Sequence, residues 1–302
     1  MNKPKVYLKD PISPKVYNRL IEKVEIVDNF DHPELLDAII IRQASCPRDV
    51  IEKAKNLKII SMHGTGTDTI DMNAAKEYNI PVVVHSGYNS RSVAELAVSY
   101  CLALNRKLKE INNALLKGKY HSFGDAFSNE HEIFGKVIGL IGTGAVSKEI
   151  YKIMKGGFNT KSLAYNPHKT KEELLEMGYE QVATLEELFQ KSDMVFVCVT
   201  LNKETENMLN YHIFKHAKEN LILANISRGA IINEDDLYKA LVEGKIKGAA
   251  SDVFKKEPLQ KDSPLLKLDN FIATYHIGGS TVEAMERLGN AVVDDVFHAL
   301  GI

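Results

Sequence analysis

Short apolar runs alternate with helix-period segments along almost the whole chain. Residues 5–8, 38–41, 57–61 and 81–85 read as strands. Between them the spacing turns helical, as in Asp49-Val50-Ile51-Glu52-Lys53-Ala54. The rhythm resumes after residue 136, where 137–141, 162–165, 193–199, 220–224, 248–253 and 271–274 are the predicted strands. Most of these runs are apolar throughout, as expected of strands covered on both faces. Strands alternating with helices predict parallel sheets with helices packed on both sides. The fold class is therefore α/β, with one parallel sheet for each series.

A long helical stretch over 92–116 separates the two series and opens on Ser92-Val93-Ala94-Glu95, a capping-box pattern. Ser280-Thr281-Val282-Glu283 repeats the pattern before a closing helix, whose apolar face carries Ala291, Val292, Val293, Val296 and Leu300. No low-complexity linker and no solenoid repeat intervenes. The closing helix is expected to pack back on the N-terminal domain and make that domain discontinuous.

Composition narrows the functional classes. The chain has 302 residues, 38 Lys plus Arg against 40 Asp plus Glu, 44% hydrophobic and 26% charged residues. That length suits two domains, and the composition is that of a globular protein. Near-neutral charge without a dense basic run argues against nucleic acid. The longest apolar runs, such as 194–199, fall far short of the ~20 residues that span a bilayer. The N-terminal Met1-Asn2-Lys3-Pro4-Lys5-Val6-Tyr7-Leu8 is not expected to be a secretory signal. Cys46, Cys101 and Cys198 are scattered, with no Cys-x-x-Cys, so neither a metal site nor a disulfide framework is expected. Reduced thiols in the cytoplasm are the simplest reading.

The most specific local motif is Gly142-Thr143-Gly144-Ala145-Val146-Ser147, which follows the predicted strand at 137–141 and runs into a helix through Lys148-Glu149-Ile150-Tyr151. Gly142 permits a tight turn and Gly144 lets backbone approach a pyrophosphate at the helix N-terminus. A second strand ends at Tyr165-Asn166, about 24 residues on, which is the context of a dinucleotide fold. Ser147 takes the place of the third glycine and is small enough to keep helix and sheet close. Asn166 stands where a carboxylate normally binds the ribose hydroxyls. Its neutrality removes repulsion toward a 2′-phosphate, which His168 and Lys169 lie near enough to meet. NAD(H) and NADP(H) both fit, with a slight lean to NADP(H).

Three later segments place polar residues just after predicted strands, where open α/β sheets bind ligands. They are Leu223-Ala224-Asn225-Ile226-Ser227-Arg228-Gly229, leading to a helix capped near Asn233; Ala249-Ala250-Ser251-Asp252-Val253-Phe254-Lys255-Lys256-Glu257-Pro258-Leu259; and Ala273-Thr274-Tyr275-His276-Ile277-Gly278-Gly279-Ser280-Thr281. With Gly64-Thr65-Gly66-Thr67-Asp68 and Ser92-Val93-Ala94-Glu95, this order resembles the D-isomer-specific 2-hydroxyacid dehydrogenase family over nearly the whole chain.

The resemblance implies two Rossmann-like domains: a flavodoxin-like substrate domain over 1–98 and 277–302, and an NAD(P)-binding domain inserted over 99–276. It implies that Arg228 binds the substrate carboxylate and polarises the keto oxygen, that His276 is the acid–base group, and that Glu257 pairs with it. Thr65 and Gly66 would hold the carboxylate through backbone N–H groups. Asp252 would lie near the nicotinamide carboxamide, and Ile226 and Ser227 would line that pocket with Arg228, His276 and Gly278. Cys198, Val199, Thr200 and Thr205 would lie on the adenine side. Thr143, Ala145, Val146, Asn166, Pro167 and His168 complete the cofactor set. His63, His85, Tyr88, Arg91, Tyr120 and His121 are further candidates for the substrate side. Tyr275 replaces the family's usual proline before the histidine, and Thr200 another near the adenine site.

The chemistry suits these residue types. Reducing a 2-keto acid takes a hydride, a proton and a stabilised oxyanion. A guanidinium grips a carboxylate in a fork and still reaches the neighbouring carbonyl. Imidazole titrates near neutrality, and a carboxylate beside it fixes the ring. The expected activity is hydride transfer between NAD(P) and a small 2-hydroxy or 2-keto acid, in a homodimer whose domains close on the substrate. The rival is a nicotinamide-sensing binding protein like the corepressors that resemble the family, although those carry unstructured tails.

Overall fold

Parallel pairing of the apolar runs builds the framework. The computed structural model describes residues 3–119 and 130–302. It divides into one unit of Met1–Ser92 with Gly279–Ile302 and another of Val93–Gly278. The first contains β1 (Lys5–Leu8), α1 (Pro14–Ile21), β2 (Glu25–Val27), β3 (Ala38–Ile41), α2 (Arg48–Lys53), β4 (Ile59–Met62), α3 (Met72–Glu77), β5 (Val82–Val84) and the start of α4 (Ser90–Asn105). Its sheet runs β2-β1-β3-β4-β5. The strand order reverses between β1 and β3, and Asp10 closes that point by accepting the N–H groups of Arg42 (2.8 Å), Gln43 (2.8 Å) and Ala44 (3.0 Å).

The second unit continues with α5 (Leu108–Leu116), β6 (Val137–Ile141), α6 (Ala145–Phe158), β7 (Lys161–Tyr165), α7 (Lys171–Glu176), β8 (Glu180–Gln181), α8 (Leu185–Lys191), β9 (Met194–Val197), α9 (Tyr211–Phe214), β10 (Ile222–Asn225), α10 (Glu234–Val242), β11 (Gly248–Ser251) and β12 (Phe271–Ala273). Its seven strands lie in the order β12-β11-β10-β9-β6-β7-β8, all parallel. This is the doubly wound arrangement, with its switch point between β6 and β9; open sheets of this kind bind ligands outside the carboxyl ends of the strands at that point. Both sheets carry core on both faces. Along β9, Val195 and Val197 join one buried cluster while Met194 and Phe196 join the other. In β3, Ile39 and Ile41 split the same way from Ala38 and Ile40. The closing helix α11 (Val282–Leu300) buries Val292, Val293, Val296 and Phe297 against Val6, Leu8, Val16 and Leu20 of the first unit. Each such side chain contributes roughly 1.5–3 kcal/mol of burial.

Local expectations fail in three places. The helix predicted over 92–116 is two helices, because Lys107 turns left-handed (φ 50°) between α4 and α5. The Asn105 carbonyl just before the break accepts a bond from Lys247 Nζ at 3.4 Å. Ser92 lies two residues inside α4 and is not its cap. At the closing helix the cap is Thr281, which accepts the Ala284 N–H at 3.3 Å, whereas Ser280 Oγ accepts Arg42 Nη2 at 2.6 Å. Finally, β2 and β8 were not predicted. With three and two residues, they pair at sheet edges and carry no periodicity of their own.

Among the described residues no helix is long and apolar enough to cross a membrane.

Candidate active site

The turn after β6 carries the glycine motif. Gly142 has φ 87°, and a Cβ there would sit 2.8 Å from the Cys198 carbonyl oxygen and 2.8 Å from Val199 Cγ1. Glycine is therefore required by backbone conformation and by the adjacent end of β9. Gly144, the N-cap of α6, presents the opposite case: a Cβ there meets nothing within 4 Å, and its φ of −78° is open to any residue. The free space lies at the start of a 14-residue helix whose first-turn amides have no partner within the helix. A pyrophosphate fits that cradle in charge and room. Ser147, fully buried, donates its hydroxyl to the Gly142 carbonyl at 2.8 Å and ties the helix back to the turn. Asn166, after β7, donates to Thr143 Oγ1 at 2.8 Å and accepts the His168 N–H at 3.0 Å. Its amide thus shapes the edge of the turn. Pro167 and His168 are exposed. Lys169 pairs with Glu173 at 3.4 Å, an exposed contact of little strength. Thr205 Oγ1 donates to the Thr200 carbonyl at 2.8 Å and closes the loop after β9.

The carboxyl ends of β10, β11 and β12 bring the three reactive candidates together within the second unit. Asn225 is buried at the end of β10, and its carboxamide accepts the Ser227 N–H at 3.2 Å and donates to the Arg228 carbonyl at 3.1 Å. This fold of the turn presents Arg228 and leads into Gly229. The backbone of Gly229 lies directly against Phe254 and Lys255: a Cβ would come within 1.9 Å of the Phe254 carbonyl carbon. That contact locks the Arg228 loop to the segment carrying Glu257. Glu257 accepts the Phe254 N–H at 3.0 Å through Oε1 and meets His276 Nδ1 at 2.9 Å through Oε2. A carboxylate only accepts, so Nδ1 carries the proton and Nε2 is left for a substrate. Burial pushes the Glu257 carboxyl up. The bond from His276, the Phe254 N–H and the charges of His276 and Arg228 outweigh that, and the group sits below its ordinary value.

His276 adopts φ 59°, the left-handed region that residues with a Cβ avoid. Such a conformation costs roughly 1–3 kcal/mol and persists only where the surroundings impose it. They do so through Asp252, 2% exposed. Its backbone carbonyl accepts the His276 N–H at 2.7 Å, and its carboxylate accepts Ile277 N–H at 2.8 Å and Gly278 N–H at 2.7 Å. Asp252 is therefore a turn acceptor, whatever else it touches. Tyr275, just before His276, is 83% exposed.

Thr65 and Gly66 follow β4 in the first unit, in an irregular loop. His63, just before them, is 2% exposed, and burial pushes its imidazole down to about 4, so it is neutral at pH 7. His85 is buried too, bonded to the Met62 carbonyl at 2.8 Å and to Asp295 at 2.8 Å, with Tyr88 edge-on to its ring. These two histidines are parts of the unit's packing. Arg91 is exposed near the start of α4. Tyr120 and His121 lie outside the described residues. Arg42 follows β3 at the carboxyl ends of the same sheet as His63, and burial lowers its guanidinium below the ordinary value.

The D-isomer specific 2-hydroxyacid dehydrogenase NAD binding domain profile matches residues 98–278, more than half of the sequence. The chain belongs to the D-isomer specific 2-hydroxyacid dehydrogenase family. It is 35% identical over 314 residues to a hydroxypyruvate reductase of Thermotoga maritima, covering 100% of both chains. It is 36% identical over 305 residues to a D-3-phosphoglycerate dehydrogenase of Methanocaldococcus jannaschii, covering 98% of this chain and 57% of that one. Holo D-mandelate dehydrogenase of Rhodotorula graminis has the same fold, with TM-score 0.86, 26% identity and coverage of 99% and 94%. Membership in the 2-hydroxyacid dehydrogenase family makes this chain an oxidoreductase with a nicotinamide-binding domain, acting on a CH–OH group.

Proposed function

We propose that the chain reduces a small 2-keto acid to the D-2-hydroxy acid, and runs the reverse oxidation, with His276 as the proton donor and acceptor. The observation that carries this reading is the 2.9 Å bond from His276 Nδ1 to Glu257, on a segment held against the Arg228 loop. The nicotinamide, when bound, supplies or takes up the hydride. His276, as the imidazolium, delivers its Nε2 proton to the keto oxygen as charge develops there and keeps its Nδ1 proton on Glu257. Glu257 holds the ring in the tautomer that leaves Nε2 facing outward. Arg228 grips the acid's carboxylate and stabilises the oxyanion. In the first unit, the proposed contribution is the amide N–H groups of Thr65 and Gly66 to the carboxylate. The proposed nucleotide set is Gly142, Thr143, Gly144, Ala145, Val146, Asn166, Pro167, His168, Cys198, Val199, Thr200 and Thr205. Ile226, Ser227, Asp252 and Gly278 are the proposed nicotinamide contacts.

Hydroxypyruvate is the first candidate substrate, since the reductase named for it matches end to end. Glyoxylate and phosphohydroxypyruvate follow. NADP(H) is preferred in this reading, because Asn166 brings no negative charge to the ribose. A homodimer through the cofactor unit is proposed on the apolar face of α5, where Leu108, Ile111, Leu115 and Leu116 are 41–78% exposed. A cytoplasmic setting suits Cys46 and Cys101, buried thiols with no disulfide partner. The test is a keto-acid panel run with NADH and NADPH in parallel on wild type and His276→Ala. Turnover should fall by a factor of about 10²–10⁴ in the variant while nicotinamide binding persists. Undiminished turnover would remove the mechanism.

A further inference from the structure

Beneath the turn that carries His276, the second unit holds a chain of polar groups of which the mechanism above uses only Asp252, as a nicotinamide contact. Tyr100, on α4, is 3% exposed, and its hydroxyl bonds to Thr274 Oγ1. Thr274 Oγ1 in turn donates to Asp252 Oδ1. A threonine hydroxyl has a single proton, and here the carboxylate takes it, so the phenol must be the donor to threonine. Burial raises the Tyr100 phenol, which keeps its proton in place. The direction runs from Tyr100 through Thr274 to Asp252, and Asp252 then receives the N–H groups of Ile277 and Gly278 and, at its backbone carbonyl, that of His276.

We propose that Tyr100, Thr274 and Asp252 are positioning residues that hold His276 in its left-handed conformation and so aim its imidazole at Glu257 and the substrate oxygen. The proposal rests on the acid–base reading of His276. Three features support it together. The conformation of His276 is one that its own backbone disfavours. Tyr275 supplies no proline ring to restrict the chain ahead of it. The Asp252 carboxylate accepts from Thr274, Ile277 and Gly278, all in the turn itself. Orienting donors on the carboxylate fixes which of its lone pairs receive Ile277 and Gly278, and Tyr100 fixes the threonine rotor from a helix distant in sequence.

The experiment uses the full-length chain and four variants: Tyr100→Phe, Thr274→Val, Thr274→Ser and His276→Ala. Turnover is measured with hydroxypyruvate and glyoxylate, and the His276 imidazole is followed by 15N-histidine NMR, assigned by its loss in His276→Ala. Tyr100→Phe should lower kcat by about tenfold and Thr274→Val by about a hundredfold, the scale of a misplacement of ~1 Å. The KM for the nicotinamide should stay within about twofold. The bonded Nδ1 signal should weaken in both variants, and Thr274→Ser, which keeps the hydroxyl, should restore rate and signal. Tyr100→Phe removes one oxygen and no volume, so it answers the question even where Thr274→Val folds poorly. Wild-type kcat and Nδ1 signal in Tyr100→Phe and Thr274→Val overturn the proposal, and so does a loss that Thr274→Ser fails to rescue. With His276→Ala inactive, either result leaves the histidine reading standing. An active His276→Ala removes that reading and this one with it.

Discussion

Gly229→Ala adds one methyl group where the structure has no room for it. The new Cβ would lie 1.9 Å from the Phe254 carbonyl carbon, 2.3 Å from Phe254 Cα and 2.3 Å from Lys255 N. Carbon atoms in contact rest about 3.5–4.0 Å apart, so the two backbones must part by roughly 1.5 Å. All three obstructing atoms are backbone, and no side chain can rotate away. Overpacking of this kind costs roughly 1–3 kcal/mol, which for a unit of this size lowers Tm by roughly 3–10 °C. The larger consequence is functional. The parting separates Arg228 from the segment carrying Glu257, and a displacement of ~1 Å between reacting groups costs about a hundredfold in rate. We expect kcat/KM for the keto acid to fall by about that factor, read from nicotinamide absorbance, with Tm followed by scanning fluorimetry. A Gly229→Ala protein with native Tm and native kcat/KM would show that this contact does not hold the site together.

Gly144→Ala should behave in the opposite way, leaving Tm unchanged because its Cβ meets nothing, but raising the KM for the nicotinamide several-fold; unaltered cofactor affinity would refute the placement of the pyrophosphate there. Arg228→Lys keeps the charge and loses the fork, so kcat and keto-acid KM should both worsen, by about tenfold or more, while cofactor binding holds; wild-type constants would remove its role. Asn166→Asp should shift preference toward NADH by repelling a 2′-phosphate, and an unchanged NADPH-to-NADH ratio would count against the proposed preference. Glu257 is held below its ordinary value in the folded chain. Its stabilising contribution is therefore complete above the unfolded carboxylate's pKa of about 4.3 and is lost as pH falls through the lower folded value. Tm against pH for wild type and Glu257→Gln should run parallel above that value and converge below it. Curves parallel down to about pH 3 would contradict the shift.

The strand series was legible because buried parallel strands announce themselves as continuous apolar runs, and the observed strands β1, β3 and β6 lie where the runs at 5–8, 38–41 and 137–141 predict them. The glycine turn was legible because its whole signal lies within a few residues: strand, Gly142, Gly144, helix. Arg228, Glu257 and His276 could be picked out as polar residues just after strands, but their mutual geometry could not. The break at Lys107 was hidden because the apolar spacing of 92–116 continues across it, and the partner at the preceding carbonyl, Lys247, comes from 142 residues away.

Periodicity, glycine placement and residue chemistry all act over one or two turns of chain, and to that range the amino-acid sequence alone determined the α/β class, the parallel sheets, the glycine turn and the family. The left-handed His276, the contact of Gly229 with Phe254 and the Tyr100–Thr274–Asp252 relay were decided only by tertiary structure. Tyr100 and Thr274 are 174 residues apart, and a hydrogen bond of that span leaves no local pattern. It exists because the packing of α4 against the sheet brings two hydroxyl groups to one buried place.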